Sequence, residues 1–132
     1  MSKTEPEFNH LPIGENTGKI CDMSYIKESF GEKNNLIIEI IDTFISQVSE
    51  ELLTINDAVE KIDFKTIRST AHKMKTSVSI MGISSIKPIL VEMEITGESD
   101  SDIKKLSELN HKLNSLCSQA IAEITAEKQN FC

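Results

Sequence analysis

The sequence predicts an all-α protein, an antiparallel up-down-up-down four-helix bundle with a short extra helix at its N-terminal end. Three observations support this fold class. Apolar residues recur every three to four positions along most of the chain, which is the period of a helix with one buried face. Glycine and proline are scarce, with 5 and 3 among 132 residues. No segment alternates between apolar and polar residues as a half-buried strand does.

The length suits one domain, or two at most, and a compact fold of this size can bury enough surface to be stable without a metal or a disulfide. Residues 1–20 hold prolines and glycines but no sustained period, so we expect a flexible tail there and the bundle over residues 21–128. Asp22 is expected to cap the short first helix, and Gly31 to end it.

The second helix is expected from about Glu32 to Ile62. Its apolar stripe consists of Ile37, Ile41, Phe44, Val48, Leu52, Ile55 and Val59. Further apolar residues widen the band on both flanks, namely Leu36, Ile38, Ile40, Ile45 and Leu53. A band this wide indicates contact with more than one neighbour or with a partner protein, and packing by the short first helix is the favoured interpretation.

The third helix is predicted to begin after a cap at Asp63 and to run to about Met81, with Gly82 just past its end. Its buried stripe is Phe64, Ile67, Ala71, Met74, Val78 and Met81. At 100° per residue, the centre of this stripe lies roughly 140° from His72. We therefore expect the His72 imidazole to point to solvent.

Ser84 or Ser85 is expected to cap the fourth helix, with Pro88 in its first turn and Gly97 at its end. Its inward residues are predicted to be Ile86, Ile89, Leu90 and Met93. The acidic turn over residues 98–102 is expected to cap the last helix, which runs to about Lys128. That helix buries Ile103, Leu106, Leu109, Leu113, Leu116, Ala120 and Ile124, and Ala122 also lets a neighbour approach.

Charge and composition exclude several functional classes. The formal net charge of −7 disfavours nucleic acid as a partner, because phosphate backbones need concentrated Lys and Arg. No run approaches the ~18 apolar residues of a membrane helix, and the N-terminus lacks a signal peptide's apolar core. Cys21, Cys117 and Cys132 form no CxxC pattern, so neither a disulfide framework nor a zinc site is expected. We expect a cytoplasmic protein with reduced thiols.

The surroundings of His72 suggest a phosphate carrier. Arg68 and Ser69 precede it by one turn, and Lys75 and Thr76 follow it by one turn. A neutral imidazole can attack an activated phosphoryl group to form a phosphoramidate, whose charge Lys75 and Arg68 can balance. The hydroxyls of Ser69, Thr76 and Ser79 can donate hydrogen bonds, and Lys73 belongs to the rim of this site.

One neighbouring feature has competing interpretations. Ile80 and Ile83 lie beyond the buried stripe, where they form either ordinary helix-end contacts or, as we favour, a small docking patch.

His10 and His111 do not pair with His72 at ligand spacing, so no metal site is expected. The sequence has no glycine-rich phosphate loop, which argues for a phosphocarrier and against a kinase with its own nucleotide site.

The segment Ala71-His72-Lys73-Met74-Lys75-Thr76-Ser77, followed by Gly82 and by an apolar helix from Ile86 to Glu94, resembles the histidine phosphotransfer (HPt) domain of multistep phosphorelays. The resemblance covers roughly residues 22–126. It implies that His72 is the phosphoacceptor, that Lys75 is its electrostatic partner and that Gly82 lets the helix end pack or turn. It further implies that the partners are receiver domains of response regulators or hybrid kinases, which supply the aspartate and the magnesium.

Thr76 departs from the family pattern, which has glycine four residues after the histidine. A threonine there can donate a hydrogen bond to the phosphoryl group or narrow the set of receivers.

Our first hypothesis is a monomeric phosphorelay intermediate that carries phosphate on His72 between receiver aspartates. The alternative is a non-catalytic module that binds another helix or dimerises through the second helix, with His72 incidental.

Overall fold

A computed structural model describes residues 20–99 and 102–131 and confirms the predicted fold class. Its α-helices are α1 (Ser24–Phe30), α2 (Asn34–Glu60), α3 (Phe64–Ile80), α4 (Lys87–Glu98) and α5 (Ile103–Lys128), and a 3-10 turn (Gln129–Phe131) follows α5. Helices α2 to α5 form the bundle, in which each packs on the next and α5 returns to α2, while α1 packs against α2. Of the predicted tail, only residue 20 lies within the described residues.

The core contains the apolar stripes that the helical period predicts. On α3, Ile67, Ala71, Met74 and Val78 are fully buried, as is Met81 just beyond it, whereas Phe64 is half-buried. Burial of each large side chain stabilises the fold by about 1.5–3 kcal/mol. The wide band of α2 is shared among α1, α3 and α5, which confirms the expectation of more than one neighbour. Leu53 is an exception, since it is 71% exposed, and Ala122 on α5 is also exposed.

Side chains cap the predicted starts of α3 and α5. An Asp63 carboxylate oxygen accepts a hydrogen bond from the Thr66 backbone N–H at 3.2 Å, and Asp102 accepts one from Lys105 N–H at 3.1 Å. Each bond satisfies one of the free N–H groups at the helix start, which stabilises a helix by about 1 kcal/mol.

The predicted start and end of α4 are both wrong. Neither Ser84 nor Ser85 caps it; α4 begins at Lys87, and Ile86 precedes it without a side-chain cap bond. The reason is that Ile86 itself has helical dihedral angles and Pro88 carries no N–H to satisfy. Gly97 does not end the helix, which continues to Glu98; instead Gly97 is buried against α3.

Gly82 ends the histidine-bearing helix with a positive φ of 65°. The N–H of Ile83 donates to the Val78 carbonyl at 2.9 Å, and Gly82 N–H donates to Ser79 at 3.1 Å, as in a helix end reversed by a left-handed residue. This reversal turns Ile83 into the core, where it is 1% exposed. The expectation that Ile83 contributes to a surface patch is therefore wrong.

The chain segment before α1 packs against the same helix end. The backbone N–H of Asp22 donates to the Gly82 carbonyl at 3.2 Å, and a Cβ at position 82 would lie 2.1 Å from the Asp22 carbonyl oxygen. On its other side, the Glu123 carboxylate of α5 accepts hydrogen bonds from the backbone N–H groups of Ile20 and Cys21 at 2.9–3.0 Å. Residues 20–22 thus link α5 to the end of α3.

Candidate functional site

His72 lies midway along α3, and its side chain is 70% exposed, as the helical spacing predicts. Its Nδ1 is 3.0 Å from Oε2 of Glu94, which α4 contributes. Burial opposes ionisation of Glu94, but hydrogen bonds from Lys75 and His72 outweigh it and lower the pKa of this carboxyl. An ionised carboxylate can only accept a hydrogen bond, so the contact places a proton on Nδ1. In the neutral imidazole the lone pair then lies on Nε2.

Lys75 binds the same carboxylate from the next turn of α3. Its Nζ is 2.6 Å from Oε1 of Glu94, so each carboxylate oxygen of Glu94 has one partner on α3. The Lys75 side chain is 27% exposed and that of Glu94 is 23% exposed. This partial burial protects the pair from the solvent screening that weakens surface ion pairs.

Arg68 also reaches α4, but at the end of that helix. Its Nη1 donates a hydrogen bond of 2.7 Å to the Gly97 carbonyl oxygen. The aliphatic part of Arg68 covers Gly97, since a Cβ there would lie 2.7 Å from Arg68 Cγ. In this structure Arg68 therefore joins α3 to α4 one turn before His72.

The hydroxyls near His72 divide into two groups. Ser69 Oγ donates to the Thr66 carbonyl at 3.3 Å, and Ser79 Oγ donates to the Lys75 carbonyl at 2.8 Å, so both donate to the preceding turn of α3. Thr76 is exposed one turn after His72. Among these three hydroxyls, Thr76 has the best position to meet a group bound to the imidazole.

Lys73 is exposed on the flank of α3 that faces α2. Burial raises the pKa of Glu51 on α2, and the positive charge of Lys73 partly opposes that rise. Lys73 and Lys75 therefore act on different carboxylates, although only two residues separate them.

A groove of about 330 Å³ lies between α2 and α3, beyond His72 in the direction of Gly82. Ile40, Phe44 and Gln47 line it from α2, and Ser77 and Ile80 line it from α3. Ile80 lies two turns from His72 on the same helix and is 42% exposed. The structure thus places an accessible apolar surface on the same helix as the imidazole, about two turns away.

No cluster of three or more His, Cys, Asp or Glu side chains within residues 20–99 and 102–131 is arranged to hold a metal. His111 is exposed on α5, and His10 lies outside the described residues, as does Cys132. In the same part of the chain, no helix combines the length and the apolar character needed to cross a membrane.

Glu94 is the functional candidate that helical periodicity missed. Its signal is a spacing across two helices: His72 and Glu94 each lie 11 residues from Ile83, in the turn between α3 and α4. When two antiparallel helices are joined at that turn, residues equally far along the chain from Ile83 lie at the same height along the two helix axes. An acidic residue at that mirrored position is therefore the feature that identifies a partner for the histidine.

Known proteins are similar to this chain in sequence and in fold. The Hpt domain family matches residues 39–123. Sensor protein EvgS from Escherichia coli K12 is 26% identical over 127 residues, as is its counterpart from the O157:H7 strain. This alignment covers 96% of the chain but only 9% of EvgS, so the chain spans a small part of those relatives.

The fold is also that of a solved structure, histidine-containing phosphotransfer protein B (HptB) from Pseudomonas aeruginosa PAO1. The two superpose with a TM-score of 0.76 at 19% sequence identity, covering 84% of this chain and 96% of HptB. At that identity the likeness establishes the helical architecture, and the sequence match establishes the relationship. With that match across more than half of its length, the chain belongs to the Hpt domain family, whose members are phosphocarriers of phosphorelays.

Proposed function

We propose that this domain accepts a phosphoryl group on His72 from the aspartyl phosphate of one receiver domain and passes it to the aspartate of another. The observation that carries the proposal is the contact between His72 Nδ1 and Glu94. With Nδ1 holding the proton, the neutral imidazole has its nucleophilic lone pair on Nε2, and the side chain is 70% exposed, so an incoming domain can reach it.

The proposed step balances without a proton leaving the domain. The Nε2 lone pair attacks phosphorus, and an N–P bond forms as the P–O bond to the receiver aspartate breaks. The electron pair of that bond returns to the aspartate as a carboxylate. The imidazole ring gains a positive charge while it keeps its Nδ1 proton, which Glu94 holds at 3.0 Å. Onward transfer reverses these events at the second receiver.

In this proposal the domain acts as a phosphoryl carrier and not as a kinase. Its own residues present the nucleophile, and we expect Lys75, which binds the same carboxylate as His72, to lower the cost of the added negative charge. We expect the receiver to supply the aspartate and to bind Mg²⁺, which neutralises phosphate charge during transfer. The groove beside Ile80 and the exposed Thr76 are the surfaces that we expect a receiver to contact.

The alternative function, a helical interaction module, rests on the wide apolar band of α2. The contacts of α2 with α1, α3 and α5 account for most of that band within the domain. Leu53 is the member of the band that stays largely exposed. A single exposed leucine is ordinary on a soluble surface, so phosphotransfer is the better supported function.

A phosphotransfer assay tests the proposal. Purified wild type, His72→Gln and the control His111→Gln are mixed with a panel of labelled phospho-receivers. We expect label on wild type and on His111→Gln, labile in acid and stable in base, and no label on His72→Gln. Because His72 is exposed, its substitution should leave the unfolding transition unchanged. Label that persists on His72→Gln would overturn the assignment of the phosphoacceptor.

A further inference from the structure

We propose that the hydroxyl of Thr76 binds the phosphoryl group on His72 and prolongs the lifetime of the phosphohistidine. This inference rests on the proposed function and names a residue that holds the group in the interval between its two transfers. It is carried by the position of Thr76 on α3, by the exposure of its side chain and by the state of its hydroxyl.

The position of Thr76 brings its side chain beside the imidazole. Thr76 follows His72 by four residues on α3, so the two Cβ atoms lie about 5–6 Å apart on one face of the helix. Side chains on a helix lean toward its N-terminus, so the side chain of Thr76 leans toward His72.

Thr76 and Lys75 lie on opposite sides of the imidazole. At 100° per residue, Thr76 is about 40° around the axis of α3 from His72, on the side toward α2, where Lys73 also lies. Lys75 is about 60° away in the other direction, on the side toward α4, where it binds Glu94. A group on the imidazole therefore lies between a cation on one side and a hydroxyl on the other.

The hydroxyl of Thr76 differs from other exposed hydroxyls on these helices. Ser79 Oγ donates to the Lys75 carbonyl at 2.8 Å, and Thr54 Oγ1 on α2 donates to the Glu50 carbonyl at 3.1 Å. Within residues 20–99 and 102–131, Thr76 Oγ1 has no such acceptor. Its proton is therefore available to a group that arrives on His72.

A phosphoryl group on Nε2 supplies the acceptor that this hydroxyl lacks. It carries three strong acceptor oxygens, and a hydroxyl donates to an anionic oxygen more strongly than to a neutral one. This hydrogen bond forms only when His72 is phosphorylated, so it stabilises the phosphorylated state relative to the resting state.

The same bond weakens as the phosphoryl group leaves. In the loose transition state of phosphoryl transfer, phosphorus moves away from Nε2, and hence from a hydroxyl that is fixed on α3. An interaction that is stronger in the ground state than in the transition state slows the reaction. Thr76 therefore slows the departure of the phosphoryl group from His72.

Loss of the group to water measures this effect without a receiver. The His72 side chain is 70% exposed, so water reaches the phosphoryl group between transfers. A water oxygen forms a bond to phosphorus as the N–P bond breaks, and the electron pair of that bond returns to Nε2. The imidazole keeps its Nδ1 proton, and both protons of the water leave with the product, dihydrogen phosphate.

The test compares wild type with Thr76→Val, which keeps the shape of the side chain without its hydroxyl, and with Thr76→Ser, which keeps the hydroxyl. The matched control is Thr54→Val, the same change at an exposed position on α2. Each protein is phosphorylated with phosphoramidate and freed of this donor, and the loss of phosphohistidine at neutral pH is followed by phosphorus-31 NMR. We expect about three- to fivefold faster loss from Thr76→Val, and wild-type rates from Thr76→Ser and Thr54→Val.

The phosphorus-31 chemical shift of the phosphohistidine provides a second readout, which a merely structural role of Thr76 would not move. We expect it to change in Thr76→Val and to stay at the wild-type value in Thr54→Val. A wild-type rate of loss from Thr76→Val would overturn the inference. Equally fast loss from Thr76→Ser and Thr76→Val would also overturn it, because the methyl group and not the hydroxyl would then protect the phosphohistidine.

The proposed function and this inference fail in different ways. A wild-type domain that takes phosphate from phosphoramidate but exchanges none with any receiver contradicts the relay function, while the rates of the Thr76 variants still decide the inference. A wild-type His72 that takes no phosphate from the small donor contradicts both. A working relay whose phosphohistidine decays equally fast in wild type and in Thr76→Val contradicts the inference alone.

Discussion

Arg68 on α3 donates a hydrogen bond of 2.7 Å to the carbonyl oxygen of Gly97 on α4, and its Cγ occupies the space that a side chain at position 97 would need. The contact joins the two helices that carry His72 and Glu94. It sets the distance between these helices because α4 can approach α3 closely only where it lacks a side chain.

Gly97→Ala should therefore destabilise the domain, by about 1–3 kcal/mol, even though alanine favours a helix over glycine by about 1 kcal/mol. The reason is that the added methyl group meets Arg68 Cγ at 2.7 Å. Urea unfolding followed by circular dichroism measures the change. The control is the same substitution in an Arg68→Ala background, where Gly97→Ala should be neutral or stabilising. An equal loss in both backgrounds would show that Arg68 is not the obstacle.

Gly82→Ala should cost more than Gly31→Ala, although both glycines have positive φ angles, of 65° and 55°. At Gly31 an added Cβ meets nothing within 4 Å, so only the backbone preference is lost, about 1–2 kcal/mol. At Gly82 the same atom would lie 2.1 Å from the Asp22 carbonyl oxygen, so the segment before α1 must move. We expect a loss of at least about 2–3 kcal/mol in the free energy of unfolding. Similar losses at the two sites would contradict this account.

Lys75→Ala should slow phosphotransfer more than Lys73→Ala. Lys75 Nζ lies 2.6 Å from the carboxylate that holds His72, whereas Lys73 lies toward Glu51. We expect about a tenfold loss of the transfer rate for Lys75→Ala and less than about a twofold loss for Lys73→Ala. Rapid-quench measurements of label transfer from a phospho-receiver give both rates. Equal effects would remove the geometric basis for assigning Lys75 to the site.

Acid should release the segment before α1. Burial raises the pKa of Glu123, but the hydrogen bonds from Ile20 and Cys21 outweigh it and hold the pKa below the usual glutamate value. Since the folded pKa is below the unfolded one, this stabilisation is present above about pH 4.3 and is lost as the pH falls through the folded pKa. Plotted against pH, the free energy of unfolding of wild type should therefore fall more steeply between neutral pH and pH 3 than that of Glu123→Gln. Parallel curves would exclude this role for Glu123.

The helical period and the capping residue types predict much of this structure. The exposure of His72 follows from the period of α3, and the caps at Asp63 and Asp102 follow from residue type beside an apolar run. The error at Ile83 comes from the reversal of the chain at Gly82, and the error at Gly97 comes from its contact with Arg68 on α3. The resemblance names Glu94 only as the end of the motif helix, because its contact with His72 arises only when α4 lies against α3.

Because His72 and Glu94 lie equally far along the chain from Ile83, the length of the turn between α3 and α4 determines which residue of α4 lies opposite the imidazole. A shift of α4 by one residue in register would move its side chains by about 1.5 Å along the helix and about 100° around it, so that a different side chain would face the imidazole. The chemistry of this surface is thus encoded partly in the length of a turn that itself contains none of the reacting groups. Changes of loop length, which most exposed turns tolerate, would here act as changes of the site.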